Sequence, residues 1–265
     1  TRPKIKFVNL HAHSVAGSIF DAIGYPADHM DFAHENGLDA LALTDHGNMN
    51  GLAYQVLHGR KMAEEGKDFK PIYGVEAYFV PSLSEWRTEY DQVMQDKKKA
   101  REHAKGKQSG ATVEDSAESK RATNNILKRR SHLILLAQNQ TGLNNIFKLV
   151  SESYKPENYY RYPRIDFKML EEYNEGIVAA SACLGGVYAS DFWRSSTYDD
   201  EGNRTGFDRD SALESMRTTT SRMVDIFGDR WYAELQWNNI PEQHHLNQLI
   251  VEVANEYNVK LISTA

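Results

Sequence analysis

Phe7-Val8-Asn9-Leu10-His11-Ala12-His13-Ser14 is a short apolar run that ends in two histidines one residue apart. In an extended strand the side chains alternate faces, so His11 and His13 point one way and Leu10 and Ala12 the other. Two imidazoles on one side of a strand end can grip one ion. Parallel barrels and open α/β sheets place their chemistry at the carboxyl ends of their strands, which is where this pair falls. Taken alone, a His-x-His on a half-buried strand is as readily a pair of surface histidines, and the rest of the chain decides between the two.

Working outward, apolar runs of strand length recur at Ile5–Leu10, Asp39–Thr44, Pro71–Val80, His132–Ala137, Gly176–Ser181, Trp231–Gln236 and Val259–Thr264. Helical patterns lie between them at Ala27–Asn36, Gly51–Glu65, Gly142–Ser153, Asp166–Tyr173, Asp208–Phe227 and Pro241–Tyr257, several stopped by glycine. Alternating strand and helix predicts parallel strands joined by crossover helices. The expected architecture is therefore α/β, a distorted barrel of seven βα units, with an open doubly wound sheet as the alternative.

Two stretches break this rhythm. Ser82–Arg130 is long, polar and poor in large apolar residues after Trp86. Between 97 and 130 it carries eleven Lys/Arg against four Asp/Glu, a net of +7 in a chain whose formal charge is −6. A connection of that length is functional or disordered. The plainer reading is a mobile insertion with partly helical ends; the sharper one is a phosphate-contacting arm using Lys97, Lys98, Lys99, Lys128, Arg129 and Arg130. Ser190–Asp210 is a second insertion, with nothing chemical in it.

Composition narrows the class. The 265 residues, 40% of them hydrophobic, can fill one large α/β domain. An overall acidic balance argues against a surface built wholly to hold nucleic acid, while leaving room for a local basic face. Cys183 is the sole cysteine, so no internal disulfide forms, and a reducing cytoplasm is expected. No apolar run is long enough to span a membrane. The opening on Thr1 and the close on a strand pattern at Ala265 lead us to expect a fragment of a longer protein.

Residues with metal-binding chemistry follow the first motif. Thr44-Asp45-His46-Gly47 ends the second apolar run with a carboxylate and an imidazole, His46 suited to ligation and Asp45 to orienting a neighbour. Asp21 stands in the loop after the first strand, where a turn aspartate is the commoner use. Glu76 lies among apolar residues in Ile72-Tyr73-Gly74-Val75-Glu76-Ala77-Tyr78-Phe79, where a carboxylate needs a cation or hydrogen-bond partner. His132 opens Leu133-Ile134-Leu135-Leu136-Ala137, and Cys183 follows Ile177-Val178-Ala179-Ala180-Ser181. Nitrogen, oxygen and sulfur donors of this kind suit zinc or other transition metals. Their spread over many strands points to a multinuclear site.

These stretches, taken in order with Gly142-Leu143-Asn144-Asn145 and Tyr162-Pro163-Arg164-Ile165-Asp166, resemble the successive motifs of the polymerase-and-histidinol-phosphatase (PHP) superfamily. Within it they are most similar to the PHP domains of bacterial replicative DNA polymerase III alpha subunits. The resemblance implies a distorted seven-unit barrel with up to three divalent ions at its mouth, zinc first, with manganese, iron or magnesium as alternatives. It implies His11, His13, Asp21, His46, Glu76, His132 and Cys183 as ligands, and a catalytic set of His11, His13, Asp45, His46 and Glu76. The activity implied is metal-dependent phosphodiester hydrolysis, as a 3′-to-5′ proofreading exonuclease acting on DNA beside other replisome subunits. The alternatives are a metal-stabilised docking module of the polymerase and a free-standing histidinol-phosphatase-like enzyme. Three departures and one misfit accompany the resemblance, one departure being that Ser82–Arg130 is much longer than the family's usual connection. The family's last Asp-x-His would begin just past Ala265, to be supplied by the remaining polymerase domains or by a separate polypeptide. Ala22 replaces a usual glycine, with Asp21 one residue late. His132 begins its strand, whereas the other ligands lie at strand ends.

Overall fold

The computed structural model describes residues 7–106 and 125–264. The expected strands are present within one or two residues: β1 (Ala40–Leu43), β2 (Lys70–Phe79), β3 (Ser131–Ala137), β6 (Ile177–Ala180), β9 (Trp231–Leu235) and β10 (Lys260–Ser263). The first expected strand falls partly outside the described residues. Its described part pairs in parallel with β1 through Asn9 and Leu41, and Thr44 N–H donates to the Ala12 carbonyl at 2.8 Å. Two short strands went unforeseen, β4 (Tyr159–Tyr160) and β5 (Tyr162–Ile165).

Eight strands form one curled sheet, a half barrel, in the order β10-β9-β6-β3-β2-β5-β4, with β1 also against β2. Helices α1 (Pro26–Glu35), α2 (Leu52–Glu64), α4 (Gln140–Ser153), α5 (Phe167–Tyr173), α7 (Arg209–Phe227) and α8 (Pro241–Glu256) are the expected ones. The largest core cluster joins the sheet to the last four of these through residues such as Leu135, Leu149, Leu170, Ala179, Met216, Trp231 and Leu249. As crossovers between strands, these helices each bury one apolar stripe against the sheet.

The expectation of uniformly parallel strands fails at two places, the short β4–β5 hairpin and β3. β3 runs antiparallel to both neighbours, pairing Tyr78 with His132 and Phe79 with Ser131 on β2, and Ile134 with Ala180 on β6. The cause is the Ser82–Arg130 segment, which returns the chain to the end of the sheet it left; neighbours joined that way must be antiparallel. The odd placement of His132 is thereby explained. On a reversed strand, the first residue lies at the same end as the last residues of the others.

That segment also differs from a polar loop. Leu83–Gly106 is one helix, α3, anchored by Leu83 and Trp86 against Val80. Residues 107–124, with Lys107, Lys120 and Arg121, lie outside the described residues. Both ends of the segment are clamped by the Tyr162–Asp166 stretch. The Asp166 carboxylate accepts from Leu83 N–H at 3.0 Å and caps α5 through Met169 N–H. Arg164, fully buried, donates to the carbonyls of Leu127, Arg129, Tyr160 and Tyr162 at 2.9–3.0 Å. The second insertion is likewise ordered, as α6 (Val187–Arg194) and a two-stranded hairpin of β7 (Ser196–Tyr198) and β8 (Arg204–Phe207).

The Gly142–Asn145 stretch has a packing reason. A Cβ on Gly142 would fall 1.8 Å from the Gly176 carbonyl oxygen, so the first turn of α4 can rest on the turn before β6 only without a side chain. Asn139 caps that turn through Gly142 N–H at 2.9 Å, and Asn145 reaches the Glu175 carbonyl at the same distance.

Candidate metal centre

Glu76 is fully buried, and its carboxylate is the hub of the site. Oε2 lies 3.1 Å from His11 Nε2, 3.0 Å from His13 Nε2 and 3.3 Å from His46 Nδ1. Oε1 lies 2.6 Å from His132 Nδ1 and 3.7 Å from Cys183 Sγ, itself 3.5 Å from His132 Nδ1. Six of the seven expected ligands thus meet around one carboxylate. Asp21 stands at the rim, its side chain 61% exposed and Oδ2 3.4 Å from His46 Nε2.

Local structure explains each placement. His11 and His13 lie on one side of the chain that runs beside β1, their rings 5.2 Å apart edge to face. His46 follows β1 and is held against β2 by backbone bonds from Glu76 N–H to the Asp45 carbonyl and from Gly47 N–H to the Glu76 carbonyl. Gly47 has φ +67°, and a Cβ there would meet Pro163 at 2.9 Å. Cys183 follows β6 after Ala182, which takes φ +61° despite its side chain. Strain of this kind is typical of turns that aim a functional group.

Asp45 faces away from the hub. Its carboxylate accepts from Ser14 N–H at 2.6 Å, Ser14 Oγ at 2.8 Å and Ser18 Oγ at 2.9 Å. It therefore pins the loop that follows His13. Ser18 Oγ in turn accepts from His46 N–H at 3.0 Å.

Glu234, on β9, was not anticipated. It is buried, and Oε1 accepts from His11 Nδ1 at 2.8 Å while Oε2 is buried without a partner. An acceptor on Nδ1 is the usual second partner of a metal-bound histidine: once the ring is neutral it leaves Nε2, on the Glu76 side, as the atom that can ligate an ion. The signal was present in Trp231-Tyr232-Ala233-Glu234-Leu235, a carboxylate in an apolar strand like that of Glu76.

Electrostatics run in opposing directions. Burial disfavours the charged form of His11, yet Glu234 and Glu76 outweigh it and raise its pKa to about 10. Burial, with the neighbouring imidazoles of His13 and His132, takes His46 down to about 4 despite Glu76. Burial disfavours charge on Glu76 too, but the hydrogen bonds from His11, His13 and His132 hold its pKa well below the usual carboxylate range. Burial and the Glu76 charge push the Cys183 thiol up to about 12.

A divalent ion fits this donor set. Buried His46 Nδ1 faces Glu76 Oε2 at 3.3 Å without forming a hydrogen bond, an arrangement that costs free energy unless a cation joins the two. Two triads have ligand atoms close enough to share an ion, His11-His13-Glu76 and His46-Glu76-His132. Imidazole, carboxylate and thiolate donors together suit zinc and its neighbours.

The PHP domain profile matches residues 9–238. The chain belongs to the PHP family. Among curated PHP-containing relatives, DNA polymerase III subunit alpha of Aquifex aeolicus is 34% identical over 97% of this chain and 18% of its own length. The same subunit of Deinococcus radiodurans is 30% identical over 99% of this chain and 16% of its own, and that of Campylobacter jejuni 29% over 98% and 17%. The chain thus spans less than a fifth of the length of these relatives. A solved structure from Chromobacterium violaceum, an amidohydrolase, covers 97% of this PHP chain and 86% of its own at 14% identity and a TM-score of 0.43.

The six basic residues of the long segment separate by environment. Lys97, Lys98 and Lys99 lie exposed along α3, and Lys128 is exposed beyond it. Arg129 is paired with both carboxylate oxygens of Glu89 at 3.0 and 2.8 Å. Arg130 alone turns toward the PHP centre, its guanidinium 3.9 Å above the Tyr162 ring.

Proposed function

We propose that this chain is a divalent-metal-dependent phosphodiester-hydrolysing module of a polymerase III alpha subunit, degrading DNA from the 3′ end during replication. The observation that carries the reading is Glu76: a fully buried carboxylate encircled by four imidazoles and a thiol. His11, His13, His46, Glu76, His132 and Cys183 are the residues that would hold two or three ions, zinc foremost, with Asp21 closing the rim. When bound, such ions would activate water and neutralise phosphate charge. Glu234 fixes the His11 tautomer, Asp45 holds the loop between His13 and Ser18 in place, and Glu76 supplies the negative charge that lets several cations sit together. Exposed Asp21 and half-buried His46 lie on the open side, where a strand end can approach.

A second reading is favoured by the way the cluster draws together the loop before β1 and the ends of β1, β2, β3, β6 and β9. Metal there would also stabilise the fold, making the module a platform for the rest of a polymerase. Elemental analysis of the purified chain and of His11→Ala/His13→Ala, followed by degradation of 3′-labelled DNA, separates the readings. About two or three ions per chain, lost in the variant, with chelator-sensitive loss of the label, is the expected result. Metal without degradation favours the platform, and a metal-free, well-folded chain sinks the hydrolase.

A further inference from the structure

Two residues before His132, the chain presents a guanidinium that the metal centre does not use. Arg130 follows the carbonyls of Leu127 and Arg129 that buried Arg164 holds in place. Its guanidinium lies over Tyr162 at 3.9 Å and Tyr78 at 5.5 Å, and Nε is buried with no hydrogen-bond partner. The Tyr78 ring stacks on His46 at 5.8 Å, nearly parallel, and meets His132 edge-on at 5.5 Å. Arg130 is thus one aromatic ring removed from two of the imidazoles at the centre.

It opens into a cleft of about 310 Å³ lined also by Gly185, Ser190, Trp193 and Arg194. Gly185 is the floor toward the centre: its N–H donates to Cys183 Sγ, and a Cβ there would lie 3.0 Å from His132 Nδ1. Arg194 is bonded to Asp191, Ser190 and Ser215. Among the described residues Arg130 meets the Lys128 carbonyl and the two tyrosine faces, and no carboxylate. Trp193 bonds the Leu184 carbonyl at 2.9 Å and leaves 37% of its surface exposed. A fixed cation beside an exposed aromatic face is the chemistry that holds single-stranded nucleic acid, phosphate to guanidinium and base to ring.

We propose that this cleft binds the single strand next to the cut site, Arg130 taking a phosphate adjacent to the one at the metal centre and Trp193 stacking a base. The inference rests on the phosphodiesterase reading. Two residues of extended chain, about 7 Å, separate Arg130 from His132, which sets the phosphate it holds apart from the one the ligands would face. Burying Arg164 to fix the Leu127–Arg129 backbone makes sense if the next side chain must keep its position. A guanidinium needed for charge alone could sit anywhere on the exposed face of α3.

The test uses the 265-residue chain loaded with zinc, and anisotropy of a labelled ten-nucleotide single-stranded DNA. Arg130→Ala should weaken binding about tenfold and lower the slope of log affinity against log salt by about 1. Arg130→Lys should fall between, keeping charge without the planar stack. Lys168→Ala, an exposed lysine on α5, should stay within about twofold of the parent. Zinc content should be unchanged in Arg130→Ala, and turnover of bis(p-nitrophenyl) phosphate should be unchanged in Lys168→Ala. Equal losses for Arg130→Ala and Lys168→Ala, no binding by the parent chain, or zinc lost with Arg130 would each overturn the proposal. Absent zinc and absent turnover in the parent would instead count against the phosphodiesterase reading, whatever Arg130 does to DNA affinity.

Discussion

Glu234 Oε1 accepts a hydrogen bond from His11 Nδ1 at 2.8 Å, joining the first and next-to-last strand regions of the half barrel across 223 residues. The same oxygen also receives Thr264 Oγ and Gln236 Nε2. Replacing Glu234 with Gln preserves shape and removes the charge that makes His11 a good donor. Zinc affinity, measured by competition with a chromophoric chelator, is expected to fall about 10- to 100-fold, and the thermal midpoint of the metal-free protein to fall near neutral pH because buried His11 loses the partner that most favours its charged form.

Glu76 has no such substitute. Glu76→Gln leaves His11, His13, His46 and His132 around a neutral amide. We expect bound metal to fall below one ion per chain on elemental analysis, about what loss of a shared ligand implies. Retention of the parent's full metal content would show that the imidazoles alone hold the ions.

Metal uptake should release protons. Without metal, His11 is held protonated with a pKa of about 10 and Cys183 is a thiol with a pKa of about 12, and ligation needs the neutral ring and the thiolate. Calorimetric titration with zinc in buffers of different ionisation enthalpy should show about two protons released at pH 7, and affinity should climb with pH. The metal-free fold runs the other way. The His11 pKa is raised above its unfolded value of 6.5, so its stabilisation is complete below that and is lost as pH rises through about 10. Thermal midpoints of the chelated protein between pH 6.5 and 10 would check this.

Gly142→Ala sets a methyl against the Gly176 carbonyl. The clash is backbone on backbone, so neither side can rotate away, and a loss of about 3 kcal/mol or more is expected in urea unfolding.

Arg164→Met removes the donor that serves four buried or half-buried carbonyls. Unsatisfied acceptors there should cost about 3 kcal/mol. Protease cleavage near Leu127 should quicken well before global unfolding does.

Much of this was legible beforehand because polar donors stand out when each ends an apolar run, as His13, His46 and Cys183 do. Glu76 was visible as a charge inside a strand, and Glu234 carried the same mark, unread because no accompanying motif drew attention to it. The direction of β3 was not legible, since the continuous apolar run from Leu133 to Leu136 reports a buried strand and nothing about which way it runs. Nor was helix α3. Past Tyr90 only Val93 and Met94 are large and apolar, and the rest, with Gln92, Gln95 and Lys97 to Lys99, are mostly polar residues that make no apolar stripe. The groups that the Asp45 carboxylate holds, Ser14 and Ser18, depended on the loop folding back over it.

The reversal of β3 has one more outcome. Phe79 and Ser131 are direct cross-strand partners, so the long segment between them is an enlarged hairpin tip, and the pairing of Tyr78 with His132 is set on the sheet side of it. Beyond the anchored ends, chain between Asp91 and Asn125 can be lengthened, shortened or exchanged without shifting the register that brings Glu76 and His132 together. The centre's geometry is thereby insulated from the most variable-looking stretch of the protein. Evolution, or an engineer, can graft a new reach for substrate or partner there and leave the chemistry where it is.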